Sequence, residues 1–142
     1  SDGGATKDVT RNFSDVDYPV FRLSEMYLIY AECNLRGGGG DAATALSYLN
    51  KIRTRAYGNT GSGTISEFDL QTVLDERGRE LYWEGHRRTD LIRYGLLTSS
   101  TYLWPWKGGV GSGTGVDSKY NIFPIPATNL TSNTNLTQND GY

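Results

Sequence analysis

The stretch Asp75-Glu-Arg-Gly-Arg-Glu-Leu-Tyr-Trp-Glu-Gly-His-Arg-Arg-Thr-Asp-Leu-Ile-Arg-Tyr-Gly95 packs acids, arginines and aromatic rings at helical spacing. Glu76, Glu80 and Glu84 recur every fourth residue, so they share one helix face, with Arg77 and Leu81 on the next. A solvated helix seldom mixes large rings and charges this densely. The pattern predicts an element buried among polar partners, where each charge is tolerated because it is paired. The available cations are Arg53, Arg55, Arg77, Arg79, Arg87 and Arg88. A glycosidase needs two carboxylates facing each other across a sugar bond. Successive turns of one helix set them side by side instead, so ion pairing is the reading preferred over acid–base chemistry.

Upstream of this stretch, residues 66–84 read as a helix, with Ser66 or Asp69 as its cap. Gly78 inside it costs about 1 kcal/mol relative to alanine, which points to a close backbone neighbour. Gly85 breaks the pattern before a short continuation over 86–94, and Gly95 stops that. Residues 41–56 give the cleanest amphipathic helix: Asp41 suits the cap, and Ala42, Ala45, Leu46, Leu49 and Ile52 form its apolar stripe. Residues 22–36 form another, with Ser24 as cap. Leu23, Tyr27, Tyr30, Ala31 and Asn34 lie on one stripe and Met26, Ile29 and Cys33 on a second. A helix apolar on both sides is expected between layers, and Cys33 is expected there as a small buried hydrophobe. The short Gly37–Gly40 connection predicts an antiparallel hairpin, the shape of one tetratricopeptide unit. Those glycines lack the lysine and hydroxyl of a phosphate loop, and no strand precedes them.

Residues 1–21 read as irregular, with a turn-like entry at Asp17-Tyr18-Pro19. Residues 57–66 and 98–120 read as glycine-rich loops, and the tail over 127–142 as polar and irregular. The fold expected is all-α: an antiparallel helix hairpin, further helices and long loops in a single domain over 1–142. Fourteen basic against 16 acidic residues give no electrostatic case for nucleic acid or an anionic membrane. No apolar run is long enough to span a bilayer. Three glycosylation sequons, at Asn12, Asn129 and Asn135, fall in polar segments and matter only in a eukaryotic secretory pathway.

His86 is the one histidine. A metal site there would have to recruit Glu80 or Asp90 among flanking arginines, which disfavour a cation. No nucleophile motif accompanies it. Neither a metal nor a cofactor is expected, and no catalysis. The remaining candidates are Tyr102, Trp104, Trp106 and Tyr120, in or beside the Tyr-Leu-Trp-Pro-Trp-Lys run. Such rings either anchor a loop to the helices or present faces on which sugars or peptides stack.

The order of these motifs resembles the C-terminal part of the SusD/RagB family of outer-membrane nutrient-binding lipoproteins. Asp17–Glu32 is similar to the family's entry into a long helix. Ala45-Leu46 with Leu49-Asn50-Lys-Ile-Arg53-Thr-Arg55-Ala56 is similar to its leucine–asparagine–arginine helix. Glu76–Gly95 carries its most specific signature, and Phe123-Pro-Ile-Pro126 and Gln138-Asn-Asp-Gly-Tyr142 resemble its closing motifs. The resemblance implies a fragment of a longer parent whose N-terminal part carries a lipid anchor and further helix pairs. It implies oligosaccharide or other nutrient capture at the outer membrane, beside a SusC-like TonB-dependent transporter. It casts Arg53, Arg55, Glu76, Arg77, Glu80, Arg87 and Asp90 as framework residues tying helices together, and places the family's sugar-stacking residues largely upstream. The rival reading is a tetratricopeptide-like module whose ligand is another protein.

Overall fold

A computed structural model describes residues 19–58, 61 and 63–142. The Asp17-Tyr18 entry and the Asn12 sequon lie outside them. All regular elements among the described residues are helical, as the periodicities require. The helices are α1 (Leu23–Leu35), α2 (Ala42–Ala56), α3 (Leu70–Glu80), α4 (Arg87–Arg93) and α5 (Ala127–Ser132), with 3-10 turns at Lys107–Gly109 and Ser118–Asn121. The chain falls into two compact units, one ending at Glu80 and the other running from Leu81 to Tyr142.

In the first unit α1 packs on both α2 and α3. Leu28 and Ala31 of α1, Ala45, Leu49 and Ile52 of α2, and Val73 and Leu74 of α3 are buried. The two alanines let the backbones of α1 and α2 approach. On the hairpin's flank Tyr27 stacks on Tyr48 with ring centroids 4.4 Å apart, and the Lys51 ammonium lies over both rings. Asp41 caps α2 by accepting from the Thr44 amide at 2.6 Å, and this bonding holds its carboxyl below the usual range. Asp69, not Ser66, caps α3, accepting from the amide and hydroxyl of Thr72 at 2.7 and 2.6 Å. Gly40, at φ +86°, has room for no side chain, because a Cβ there would meet the Tyr30 hydroxyl that accepts from the Asp41 amide.

The asparagine and first arginine of the α2 motif grip one loop. Asn50 pairs both ways with the backbone of Ile65, at 2.8 and 2.9 Å. One turn later Arg53 donates through Nε to the Gly63 carbonyl and through a terminal nitrogen to Glu76 at 2.7 Å. A Cβ at Gly63 would enter the Tyr57 ring, so this loop needs its glycine to lie so close to α2. Glu76 also receives Arg79 at 2.7 Å. Glu80 receives Arg55 and Arg22, each at 2.5 Å, and Arg22 donates in addition to the Glu80 carbonyl at the end of α3. Carboxylates on α3 thus meet cations from α2 and from the head of α1.

Burial works against the charged form of Glu80. The hydrogen bonds from Arg22 and Ser24 and the positive charges of Arg22 and Arg55 outweigh it, leaving the carboxyl below its ordinary value. A depressed carboxyl stabilises the fold above its unfolded pKa, and that contribution is lost as pH falls through the folded one. The stability gap between the wild type and Glu80→Gln is therefore expected to be widest at neutral pH and to close as pH falls below about 4.5. Thermal midpoints measured across that range check this. Parallel curves would show that the Glu80 charge contributes nothing.

Three expectations need correcting. Helix α1 starts after Arg22, and Ser24 caps nothing: its hydroxyl accepts from the Arg22 guanidinium at 2.9 Å. Cys33 is exposed, as are Met26 and Ile29, because α1 turns Leu28 and Ala31 toward its neighbours in this unit and the second stripe away from them. Helix α3 ends at Glu80, so Glu84 is not on the face of Glu76 and Glu80. The chain instead turns at 81–85, with Trp83 in the left-handed region at φ 68°. The tail is also less irregular than its composition predicts, since α5 forms directly after Pro126. Proline pre-sets its own φ, and its carbonyl accepts from Asn129 at 2.9 Å.

Candidate functional site

The second unit holds the aromatic candidates. Helix α4 closes where the Leu96 amide returns to the Leu91 carbonyl at 2.7 Å, and the chain then enters the 98–120 segment. Arg87 and Arg88, at the start of α4, point at rings. Arg87 donates to the Tyr102 hydroxyl at 2.6 Å with its guanidinium 6.0 Å from that ring's centre. Arg88 donates to the Tyr120 carbonyl at 2.7 Å and lies 4.2 Å over Phe123. Asp90 is buried and pairs with Arg93 at 2.8 Å.

The Trp104–Val116 loop is stitched by its own backbone. Lys107 N donates to the Trp104 carbonyl, Gly113 N to that of Val110, and Thr114 N to that of Lys107, at 3.1, 2.8 and 3.1 Å. Val116 then pairs with the Thr98 carbonyl at 3.1 Å, which fastens the loop's far end to its start. The Lys107 side chain is folded inward and only 3% of that residue is exposed. Trp106 sits in the left-handed region at φ 69° and is 72% exposed.

The two closing motifs are each other's partners. Pro124 and Pro126 have no N–H, so Ile125 is the one residue between Phe123 and Ala127 with a backbone donor. Gln138 satisfies both its N–H and its carbonyl, at 2.8 and 3.0 Å, as a neighbouring strand would. Asn139 donates to the Phe123 carbonyl at 2.8 Å. The Tyr142 hydroxyl donates between the carbonyls of Lys119 and Ile122, at 3.1 and 2.9 Å, and Lys119 donates to the Gly141 carbonyl at 3.0 Å. The tail is thereby fastened across residues 119–125.

These fastenings border an open cleft of about 270 Å³ whose rings are Trp104, Tyr120, Phe123 and Tyr142, lined also by Leu97, Val116, Ile122 and the charged Arg88 and Lys107. Of the four aromatic candidates, Trp104 and Tyr120 line it. Tyr102 stands behind Trp104, ring edge to face at 6.3 Å, and Trp106 does not line it. Phe123 and Tyr142 escape sequence reasoning as ligand groups, although both sit in motifs read there as closing segments. A larger, open depression of about 520 Å³ runs along Asp117, Lys119, Gln138 and Asp140. It has more volume but less chemistry to offer: Gln138 and Lys119 hold the tail, and Asp117 accepts from the Lys119 amide at 2.8 Å. A mainly apolar cleft lined by four aromatic rings, with Arg88 and Lys107 among its walls, suits a ligand with flat C–H faces and peripheral hydroxyl groups.

Among the described residues no group of three or more His, Cys, Asp or Glu could hold a metal ion. No helix among them is long and apolar enough to cross a membrane.

The family model for the SusD family matches residues 2–142. Over all 142 residues the chain is 44% identical to the starch-binding protein SusD of Bacteroides thetaiotaomicron, covering 24% of that protein. It is 34% identical over 125 residues to the SusD-like protein P25 of Formosa agariphila, which takes in 85% of this chain and 23% of that one. The chain therefore spans about a quarter of the length of these relatives. Among solved structures it is similar to surface glycan-binding protein A from Bacteroides uniformis, with a TM-score of 0.68 and 32% identity, over 86% of this chain and 27% of that one.

Proposed function

Since the chain belongs to the SusD family, we propose that it is the C-terminal scaffold of a larger, non-catalytic glycan-capture protein and contributes one wall of its carbohydrate-binding surface. The observation that carries this reading is the convergence of Trp104, Tyr120, Phe123 and Tyr142 on one cleft. Sugar rings have apolar C–H faces that stack on such side chains, and their hydroxyls pair with polar groups beside them. The names of the relatives, a starch-binding and a surface glycan-binding protein, support the ligand class. On this reading the parent protein sits at the outer membrane beside a SusC-type TonB-dependent transporter, captures oligosaccharides and hands them to the pore. Trp106, exposed on a stitched loop, is a second contact, and Tyr102 supports Trp104. The charge pairs of Arg53, Arg55, Glu76 and Glu80 hold the first unit, in which Arg77 is also buried, while Arg87 and Asp90 serve the second, through Tyr102 and Arg93.

Affinity electrophoresis against a panel of soluble polysaccharides tests the reading. Retardation of the folded chain by at least one neutral glycan is expected. Migration unchanged in every polysaccharide, with helical circular dichroism intact, would remove the cleft from the binding surface. The rival, a protein-binding helical module, draws on the α1–α2 hairpin and the exposed Met26 and Ile29 of α1. It predicts that unchanged migration.

A further inference from the structure

We propose that Lys107 is the positioning residue of the aromatic cleft: its ammonium acts as a built-in cation that gathers three loop carbonyls and fixes the Trp104 ring. The proposal rests on reading that cleft as a carbohydrate surface; Lys107 is part of its lining, but its three N–H groups are taken up by the loop.

A buried ammonium is costly unless every N–H finds an acceptor. Lys107 has three such N–H groups, and three carbonyls receive them: Ser99 at 2.5 Å, Tyr102 at 2.7 Å and Leu96 at 3.3 Å. No carboxylate takes part. The three acceptors come from the segment that leaves α4, so one side chain closes that segment on itself. The same ammonium stands 4.6 Å from the centre of the Trp104 ring, on which a cation is held by the ring's negative face. Tyr102, whose carbonyl Lys107 binds, meets Trp104 edge to face, and Arg87 pins its hydroxyl. The groups that set the angle of Trp104 are thus Lys107 itself and a tyrosine that Lys107 holds. The lysine backbone closes the turn as well, its amide donating to the Trp104 carbonyl at 3.1 Å.

No other residue type does all of this. Methionine fills the same space and donates nothing. Arginine has a planar fork that cannot point three donors at carbonyls converging on one atom.

The test compares the wild type, Lys107→Met and an aminoethylated Lys107→Cys that restores an ammonium at the same reach. The last is made with Cys33→Ser so that one thiol reacts. A background of Trp83→Phe and Trp106→Phe leaves Trp104 as the sole tryptophan for acrylamide quenching. Retardation by the polysaccharide that retards the wild type is measured in parallel on the same Lys107 variants with Trp83 and Trp106 intact. Lys107→Met is expected to keep its helical circular dichroism, to raise the quenching of Trp104 above that of the wild type, where the ring is 37% exposed, and to bind about tenfold more weakly, the loss of one well-placed ring. Aminoethylation is expected to restore both signals, which a role in overall folding alone would not produce. Unchanged quenching and affinity in Lys107→Met would overturn the proposal. So would a Lys107→Met chain that unfolds and an aminoethylated one that fails to recover the Trp104 signal. If no polysaccharide retards the wild type, the carbohydrate reading fails, and the quenching comparison still decides whether Lys107 sets the ring.

Discussion

Glu76→Ala is expected to destabilise the first unit by about 3 kcal/mol, the lower end of the range for buried pairs, because it strips the largely buried Arg53 of its counter-charge. Glu76 is 3% exposed and receives both Arg53 and Arg79. Arg79 is half open to water and loses little. Arg53 is enclosed, and only its bond to the Gly63 carbonyl would remain of the two polar contacts that hold it. For a chain of this size the thermal midpoint falls by about 10 °C or more. The loss of the carboxylate, not of side-chain volume, is the cause, and a second variant separates the two. Replacing both partners, Arg53→Met with Glu76→Leu, leaves no stranded charge and should recover much of the midpoint. A Glu76→Ala midpoint within the range of a surface substitution would show that the pair is solvated in solution.

Trp104→Ala with Tyr120→Ala is expected to abolish polysaccharide retardation without loss of helix content. The two rings both line the cleft, and each stacked ring contributes about 1 kcal/mol beyond its buried area. Losing both removes about 2–3 kcal/mol, which weakens binding about thirtyfold or more. Neither ring lies in the core of the first unit, so the far-ultraviolet spectrum should hold. Trp106→Ala, made separately, reads the loop tip. Retardation that survives the cleft pair but is lost with Trp106→Ala would move the binding surface to that tip. Affinity unaffected by either change would place sugar contact elsewhere in the parent protein.

The helices of this chain were legible because their signals are local. The stripe of Ala45, Leu49 and Ile52 and the cap at Asp41 need only neighbouring residues, and the structure has both. The charge pairs were legible in kind: glutamates every fourth residue demand partners, and Arg53 and Arg55 are among those they find. The end of α3 was not. Periodicity carries the helix through Glu84, whereas the backbone turns after Glu80, where Arg22 takes the final carbonyl from the other end of the unit. Helical spacing cannot register a long-range cap. The exposure of Cys33 was hidden for the opposite reason, since apolar spacing says which residues share a face and not which face finds a neighbour. The cleft was half legible. Trp104 and Tyr120 stood out by composition, but Tyr142 joins them only because Gln138 and Asn139 dock on residues 123–125, a pairing made by side chains with no sequence period. Lys107 carries no signal in the sequence beyond its place at the end of the Tyr-Leu-Trp-Pro-Trp-Lys run, yet it is among the most buried residues of its unit.

The clasp between Gln138 and Ile125 divides evolutionary freedom unequally between its two halves. Gln138 contributes its side-chain amide, whereas Ile125 contributes only main-chain atoms that every residue except proline possesses. As far as these hydrogen bonds go, position 125 is free to drift among apolar residues, while position 138 tolerates few replacements that would keep the clasp, leaving Tyr142 to its own hydroxyl bonds and the Lys119–Gly141 contact. Substitutions in the Phe-Pro-Ile-Pro segment therefore have room to remodel this side of the cleft while keeping the fastening intact.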